Sequence, residues 1–288
     1  MYKSIVKKHA RISDMLMYIL IYASAGLAML MLAGIIAYVF FKGIGTVTPS
    51  FIFGVTSVLK GTVGILGNIV NTLYIIVITV LISAPIGIGA AVYLDEYAKN
   101  EHLVKIIEFT TETLAGIPSI IFGLFGYVFF GGTLGLGYSI LTGALTLSIM
   151  VLPLITRNAQ EALKTVPAGY RSGALGMGAT KWHMIRTILL PSAMPGIISG
   201  IILSVGRIVG ESAALLFTAG SGFLLPKSFF KKIFQPGGTL TIQLYLSMQK
   251  GEYKAAFGIA CVLLVIVLAI NILTGYLAEK FDVNREKR

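Results

Sequence analysis

The chain has 288 residues, of which 56% are hydrophobic and only 12% are charged. A soluble domain carries about twice that share of charged residues, so the composition indicates an integral membrane protein. In such a protein the formal charge of +11 first reflects topology, because Lys and Arg accumulate on the cytoplasmic side, and it does not indicate a nucleic-acid partner. With Cys261 as its one cysteine, the chain cannot form a disulfide or a cysteine-based metal framework by itself.

Six apolar segments are long enough to cross a membrane, because one crossing needs about 20 residues. We predict spans at about 15–41, 68–94, 106–130, 139–156, 189–218 and 253–278. The first is too long for the apolar region of a cleaved signal peptide. The predicted fold class is therefore an all-α membrane protein with six transmembrane helices.

The basic residues predict that both termini are cytoplasmic. With that orientation, the inner segments contain 15 Lys and Arg, the outer segments contain seven, and Arg207 lies within a span. The outer Lys are concentrated in one loop, at Lys227, Lys231, Lys232, Lys250 and Lys254. They are interpreted either as ordinary solubilising charge or as a surface that attracts an anion or an acidic partner protein.

Arg207 and Glu211 are the charged residues within the fifth predicted span. Four positions apart, they share one face of a continuous helix and can pair. A charge at this depth costs at least about 2.5–3.5 kcal/mol, so it needs a partner or a water-filled cavity. Two interpretations remain open: a self-contained structural ion pair, or the lining of a polar path on which the Arg fork favours an anion. Glu112, beside an apolar run, is interpreted as a solvated helix end.

The segment Tyr170–Pro191, here called the polar segment, interrupts the apolar sequence with Gly, basic residues and the single Trp. Its spacing from Met177 to Leu189 predicts a short amphipathic helix at the membrane surface. On the residues alone this could be an interfacial helix or a docking surface for another protein. The chain has no GxxxxGK[ST] sequence for a nucleotide phosphate, and its three His are far apart, so no enzyme active site is expected.

Within the polar segment, GATKWHMIRTILLP resembles the cytoplasmic "EAA" loop of ABC-importer permeases. Gly178 and Ala179 match the Gly-Ala of that motif, and Ile188, Leu190 and Pro191 match its Ile-x-Leu-Pro. The front of the motif departs from the family: Ser172 and Gly173 stand where Glu and Ala are usual, whereas Ala174 matches the last alanine.

Three further stretches are similar to phosphate-importer permeases, most closely to the PstA type. They are PIGIGAAVYLDEYA (85–98), ETLAGIPSIIFGLFG (112–126) and GRIVGESAALLFTAG (206–220), and the resemblance covers roughly residues 68–220. In that family an intramembrane Arg and a nearby Glu are implicated in transport, and the matching residues are Arg207 and Glu211. The resemblance implies a type I ABC-importer (MetI-like) permease fold in a prokaryotic cytoplasmic (inner) membrane.

The resemblance also implies partners. The chain would pair with a homologous second permease, and two copies of an ABC ATPase, which hold the ATP and Mg²⁺, would dock on the coupling loop. That loop would include Ala174, Gly178, Ala179, Trp182, Ile188, Leu190 and Pro191. A phosphate-binding protein outside the cytoplasm would deliver substrate, membrane lipid would surround the spans, and this chain itself would bind no cofactor.

The predicted organisation has three parts: an N-terminal segment with the first helix and an outer loop (1–66), the importer transmembrane domain (67–280, coupling loop about 157–188) and a cytoplasmic tail (281–288). Alternatives to a phosphate permease are a permease for another oxyanion (phosphonate, sulfate or molybdate), a secondary transporter with Glu211 as a proton relay, and a membrane scaffold or sensor. A secondary transporter would need no ATPase dock, and a scaffold would gain nothing from a costly buried Arg207.

Overall fold

The computed structural model describes residues 12–57, 62–225 and 228–280, and these are mainly helical. The basic N-terminus up to residue 11 and the tail 281–288 lie outside the described residues, so their predicted cytoplasmic location stays a prediction. The helices are α1 (Ile12–Gly43), α2 (Pro49–Phe53), α3 (Leu66–Val92), α4 (Glu101–Ala115), α5 (Ser119–Gly126), α6 (Ile140–Lys164), α7 (Ala168–Gly176), α8 (Lys181–Met184), α9 (Leu190–Gly210), α10 (Ala213–Thr218), α11 (Phe229–Ile233), α12 (Leu240–Gln249) and α13 (Tyr253–Lys280).

Short elements join these helices. A 3₁₀ turn (Ile44–Thr46) follows α1, and π-helical turns extend α3 (Tyr93–Tyr97) and α5 (Tyr127–Thr133) and join α8 to α9 (Ile185–Leu189). The strands β1 (Val55–Ser57) and β2 (Thr62–Ile65) form an antiparallel pair with Val55 opposite Ile65. The predicted loop between the first two spans therefore contains a short helix and a small hairpin.

Five helical segments within the described residues are long and apolar enough to cross a membrane, and α4 with α5 makes a sixth if the bent pair is one span. The first, second, fourth and sixth predicted spans are confirmed as α1, α3, α6 and α13. In the description below, the inner end is the end that carries the polar segment, and the outer end is the opposite one.

The third predicted span is not a straight helix. α4 and α5 are bent by 98° at the short break between them. Pro118 lies in this break with an extended ψ of 137°. A proline disfavours the helical conformation in the residue before it, so α4 ends ahead of Pro118 and α5 begins after it. None of the α4 residues is buried in this chain, and α4 packs along α6.

The fifth predicted span is also interrupted, because α9 ends at Gly210 and the six-residue α10 begins at Ala213. Glu211 lies in the break with an extended ψ of 129°. The broken backbone is tolerated at membrane depth because hydrogen bonds within the protein satisfy polar groups at the break, including the Glu211 carbonyl and the Ala214 amide. α10 packs against α5 and α6 rather than extending α9.

The centre of the molecule is the packing of α3, α6 and α9, in which α3 and α6 run in the same direction and α9 runs opposite to them. A core cluster joins these helices to α10 through residues that include Ile75, Leu147, Ile155, Val205 and Leu215. A second cluster at the inner end joins the polar segment to the ends of α3 and α6, through Ala91, Leu163, Ala174, Ile185 and Ile197 among others. The polar segment is thus packed onto the bundle.

The outer segment between α10 and α12 folds back onto the start of α3. The Asn68 side chain donates a 2.9 Å hydrogen bond to the Gly238 carbonyl, and the Asn71 side chain donates a 2.9 Å bond to the Gly222 carbonyl. The Leu240 amide donates to the Thr72 hydroxyl at 3.0 Å. Buried amide and hydroxyl groups of α3 therefore hold this segment in place.

Lys232 changes the interpretation of the outer lysines. It is 2% exposed, and its ammonium group donates to the carbonyls of Leu224 (2.9 Å) and Pro236 (3.1 Å). Lys231, Lys250 and Lys254 are exposed, whereas Lys227 lies outside the described residues. The prediction of a solvated charge was wrong for Lys232, because this lysine closes the loop that contains it.

We expect Lys232→Met to lower the free energy of unfolding by about 1–3 kcal/mol, because the two partly buried carbonyls of Leu224 and Pro236 lose their charged donor. Lys231→Met is the matched control, since Lys231 is exposed. Thermal unfolding of the purified chain in detergent measures the difference. An equal loss in both variants would contradict the structural role of Lys232.

The contribution of Lys232 to the free energy of unfolding is expected to depend on pH. Burial lowers the pKa of Lys232 from its usual value. Between the lowered pKa and the ordinary value the unfolded chain binds more protons than the folded chain, so stability rises with pH across that window. Lys232→Met should abolish this rise, which thermal unfolding across the alkaline range would measure.

Candidate functional site

A cavity of about 310 Å³ lies between α4, α6 and α9. From Met150 to Lys164 it follows about 20 Å of α6, at about 1.5 Å per residue, and Arg207 lines it from α9. The cavity is lined by Glu108, Thr111, Glu112, Ala115, Met150, Pro153, Leu154, Arg157, Gln160, Glu161, Lys164 and Arg207. Most of these side chains are polar or charged, although they belong to helices that are otherwise apolar.

Arg157 organises the charges in this cavity. Its guanidinium contacts the Glu112 carboxylate of α4 at 2.7 Å and the Glu161 carboxylate of its own helix at 3.2 Å. Nearer the inner end, Lys164 lies 3.9 Å from the Glu108 carboxylate. Glu112 is exposed, as expected of a solvated helix end, but it also forms an ion pair at the cavity, which the sequence did not indicate.

Arg207 differs from the other cations of the cavity. Among the described residues, no carboxylate lies within ion-pair distance of its guanidinium, and its side chain is exposed in the single chain. Gly196 of α9 meets Ala162 of α6 and Gly200 meets Asn158, so the antiparallel register places Arg207 level with about residue 150 of α6, at the end of the cavity farther from the inner end. A cation without a partner, at the deep end of a polar cavity, can attract an anion.

The predicted pairing of Arg207 with Glu211 is wrong. The two residues would share a face only in a continuous helix, and α9 ends between them at Gly210. The Glu211 side chain instead accepts a 3.1 Å hydrogen bond from the Ala214 amide at the start of α10. The Glu211 carbonyl accepts a 2.7 Å bond from the Thr241 hydroxyl of α12. Glu211 thus holds the break together, and a role in the path stays a prediction.

The polar segment contains two short helices, α7 and α8, instead of the one predicted. They are separated by a turn in which Gly178 has φ +85°. The Gly178 amide donates to the Leu175 carbonyl (3.0 Å) and the Ala179 amide to the Ala174 carbonyl (3.1 Å), which is the Schellman arrangement at a helix end. Glycine is favoured there because a Cβ makes the left-handed conformation costly. The resemblance had identified Gly178, and the backbone now gives its reason.

The predicted coupling residues divide by exposure. Ala174 is 2% exposed, and Ala179, Ile188, Leu190 and Pro191 are partly buried. Trp182, in contrast, is 60% exposed. Nearby apolar side chains also face outward: Met177 is 84% exposed and Leu175 is 50% exposed. The buried members fix the polar segment to the bundle, and the exposed members form an apolar surface at the inner end.

Sequence reasoning did not identify a charged cluster beneath this surface. Arg171 of α7 contacts the Glu96 carboxylate at 2.8 Å and the Asp95 carboxylate at 3.1 Å, both in the last turn of α3. Lys181 of α8 donates to the Glu96 carbonyl and lies over the Tyr97 ring. The sequence did show two adjacent acidic residues, Asp95 and Glu96, at the end of an apolar span. It did not indicate which cation would pair with them.

The described residues contain no group of three or more His, Cys, Asp or Glu side chains arranged to hold a metal ion. The charges of the cavity are mostly paired across helices, and those beneath the polar segment join it to α3. The arrangement suits passage of a charged solute and transmission of movement.

Comparison with known proteins gives one family. Residues 83–283 match the model for "binding-protein-dependent transport system inner membrane component". A probable ABC transporter permease, YqgI of Bacillus subtilis (strain 168), is 35% identical over 85% of this chain and 88% of its own length. A phosphate transport system permease protein, PstA of Xylella fastidiosa (strain Temecula1), is 36% identical over 68% of each chain.

Solved structures show the same fold at low sequence identity. A bacterial alginate ABC transporter chain has a TM-score of 0.70 at 14% identity, covering 94% of this chain and 96% of its own. A chain of the MetNI methionine ABC transporter in an inward-facing conformation has a TM-score of 0.58 at 20% identity, covering 76% of this chain and 94% of its own. These likenesses confirm the predicted MetI-like permease fold.

Gly178→Ala should strain the turn between α7 and α8 by about 1–2 kcal/mol, because Ala is unfavourable at positive φ. Backbone hydrogen exchange in residues 168–184 should become about 5–30 times faster, in proportion to that loss. The matched control is Gly176→Ala, because Gly176 is helical, has a negative φ and has open space at its Cβ position. Similar acceleration in both variants would contradict a special role for the turn.

Proposed function

Because the chain belongs to the binding-protein-dependent transport system inner membrane component family, the multi-pass permease subunits of ABC importers, we propose that it forms half of the translocation path for inorganic phosphate. The observation that carries this proposal is Arg207, a cation without an ion-pair partner in the described chain, at the deep end of a charged cavity. The phosphate-permease names among its relatives support the choice of substrate.

The charges in the cavity favour passage of an anion over tight binding of that anion. Arg157 and Lys164 each face a carboxylate, so much of their positive charge is offset within the cavity. Arg207 remains as the cation able to offer its planar fork to phosphate oxygens. A single available guanidinium would attract the anion into the cavity. Several unpaired cations would bind the anion so tightly that its release would be slow.

The exposure of the cavity supports a second permease. The side chains of Arg157 and Glu112 are both 60% exposed in the single chain, although they line the cavity. A path through a membrane has to be closed from lipid on all sides, since lipid cannot satisfy charged groups. A homologous permease on this side would complete the wall.

The apolar surface of the polar segment supports an ATPase partner. Met177 and Trp182 are held outward by the turn at Gly178 and the short helix α8. Two ATPase subunits, holding ATP and Mg²⁺, would dock on this surface and on its counterpart in the second permease. A phosphate-binding protein would deliver the anion at the outer end.

Another oxyanion remains the second candidate, because the Arg207 fork can bind phosphonate, sulfate or molybdate in the same way. Purification of the chain from its native membrane identifies the partners directly. We expect a P-loop ATPase, a second permease and a binding protein to co-purify. Uptake by the reconstituted complex, with each oxyanion as competitor, then separates the substrates.

Arg207→Ala should reduce phosphate uptake at least about tenfold, because the loss of a charge-assisted hydrogen bond corresponds to about 1.5–3 kcal/mol. The amount of ATPase that co-purifies should not change. Arg207→Lys keeps the charge but loses the fork, so an intermediate rate is expected. Normal uptake by the Ala variant would exclude Arg207 from the path.

A further inference from the structure

The last turn of α3 is held by both helices of the polar segment. Arg171 of α7 contacts Asp95 and Glu96, and Lys181 of α8 contacts Glu96 as well. Glu96 is thus shared between two cations that belong to different short helices. The acidic pair joins the two halves of the polar segment to one transmembrane helix.

Arg171 uses its whole guanidinium in this contact. Besides the two carboxylates, it donates 3.0 Å hydrogen bonds to the carbonyls of Leu163 and Val166 at the end of α6. The Leu163 carbonyl lies in the last turn of α6, where the helical amide four residues further on is missing, and the Val166 carbonyl lies just beyond the end of that helix. One side chain therefore ties together α7, the end of α3 and the end of α6.

This cluster is much less exposed than the ion pairs of the cavity. The side chains of Arg171, Asp95 and Glu96 are 25%, 12% and 7% exposed, against 60% for Arg157 and Glu112. Exposed ion pairs contribute little to stability. Removing one partner of a buried pair is costly, because the other charge is left without compensation. The Arg171 cluster is therefore a firm attachment.

The other end of α3 is attached too. Asn68 and Asn71 donate to carbonyls of Gly238 and Gly222 in the outer segment. Between Asn68 and Tyr97 the helical chain is about 40 Å long, at about 1.5 Å per residue. α3 thus runs from the polar segment to the outer loop, with polar side chains fixing both ends.

We propose that Arg171 is a positioning residue that makes α3 move with the polar segment, so that displacement of α7 and α8 at the inner end reaches the outer segment at residues 219–239. This inference rests on the proposed function, in which an ATPase displaces the polar segment. Arg171 contacts neither substrate nor nucleotide in this scheme. Because Arg171 connects these elements, α7 and α8 cannot move without moving α3.

The test is Arg171→Ala in the complete complex with both permeases, the ATPase and the binding protein. The matched control is Lys99→Ala, because Lys99 is an exposed cation three residues beyond Glu96 and has no ion pair in the described part of the chain. Three quantities are measured: hydrogen exchange in residues 168–176, ATP hydrolysis, and phosphate imported into vesicles per ATP.

In Arg171→Ala we expect exchange to accelerate, and import per ATP to fall, at least about tenfold each, because two largely buried carboxylates lose their shared cationic partner. Hydrolysis should continue, since the apolar docking surface is intact. Lys99→Ala should keep all three quantities within about twofold of the parent. Arg171→Lys should be intermediate, and it provides the test if the Ala variant does not assemble.

Unchanged exchange in Arg171→Ala would overturn the attachment. Faster exchange with unchanged import per ATP would overturn the coupling role, because the contact would then be structural only. A parent complex that imports another oxyanion but not phosphate would refute the proposed substrate. The effect of Arg171→Ala on import per ATP could then still be measured with that oxyanion. A parent chain that recovers no ATPase would refute both proposals.

Discussion

A charge or an open backbone group within a membrane has no water to bond to, and the protein has to supply its partner. This constraint explains the positions of most polar side chains described above. Asn68 and Asn71 bond to carbonyls of the outer segment, and Glu211 bonds to an amide at the start of α10. At the inner end, Arg171 bonds to the Leu163 carbonyl in the last turn of α6. Each polar group therefore also fixes one helix relative to another.

Arg207 is the informative exception among these charges. The cavity around it brings together cations and carboxylates from α4 and α6, and their pairing leaves Arg207 as the cation that a passing anion can meet. The same constraint that makes an unpaired Arg costly inside a membrane makes it a sign of function. In the function proposed above, Arg207 would line the path of the anion through the permease.

Much of the architecture could be predicted from the sequence, because helix length and hydropathy determine where α1, α3, α6 and α13 cross the membrane. The bend at Pro118 was missed because apolar composition does not distinguish one straight span from two short helices. The pairing of Arg207 with Glu211 failed for a related reason: spacing along a helix has meaning only if the helix is continuous, and here it ends at Gly210.

Contacts between distant parts of the chain could not be predicted from the sequence. Arg171 and Asp95 are 76 positions apart, and Arg157 and Glu112 are 45 positions apart. In each case the residue types were visible, but the partner depends on how α4, α6 and α7 pack. The motif at Gly178 could be identified because its turn is local, involving only neighbours from Ala174 to Ala179.

The attachment of α1 has a consequence for the order in which the protein is assembled. Its side chains from residue 14 to 38 are almost all exposed, and it packs on α13 near its outer end, where Gly43 meets the Phe257 backbone and the Cys261 thiol donates to the Val39 carbonyl. At a synthesis rate of about 5–20 residues per second, the ribosome makes that part of α13 roughly 10–40 s after α1. Although α1 is made before the other described helices, it is thus among the last of them to be packed. The segment of α1 between Asp14 and Lys42 is apolar, so it can remain in contact with lipid until α13 has been made.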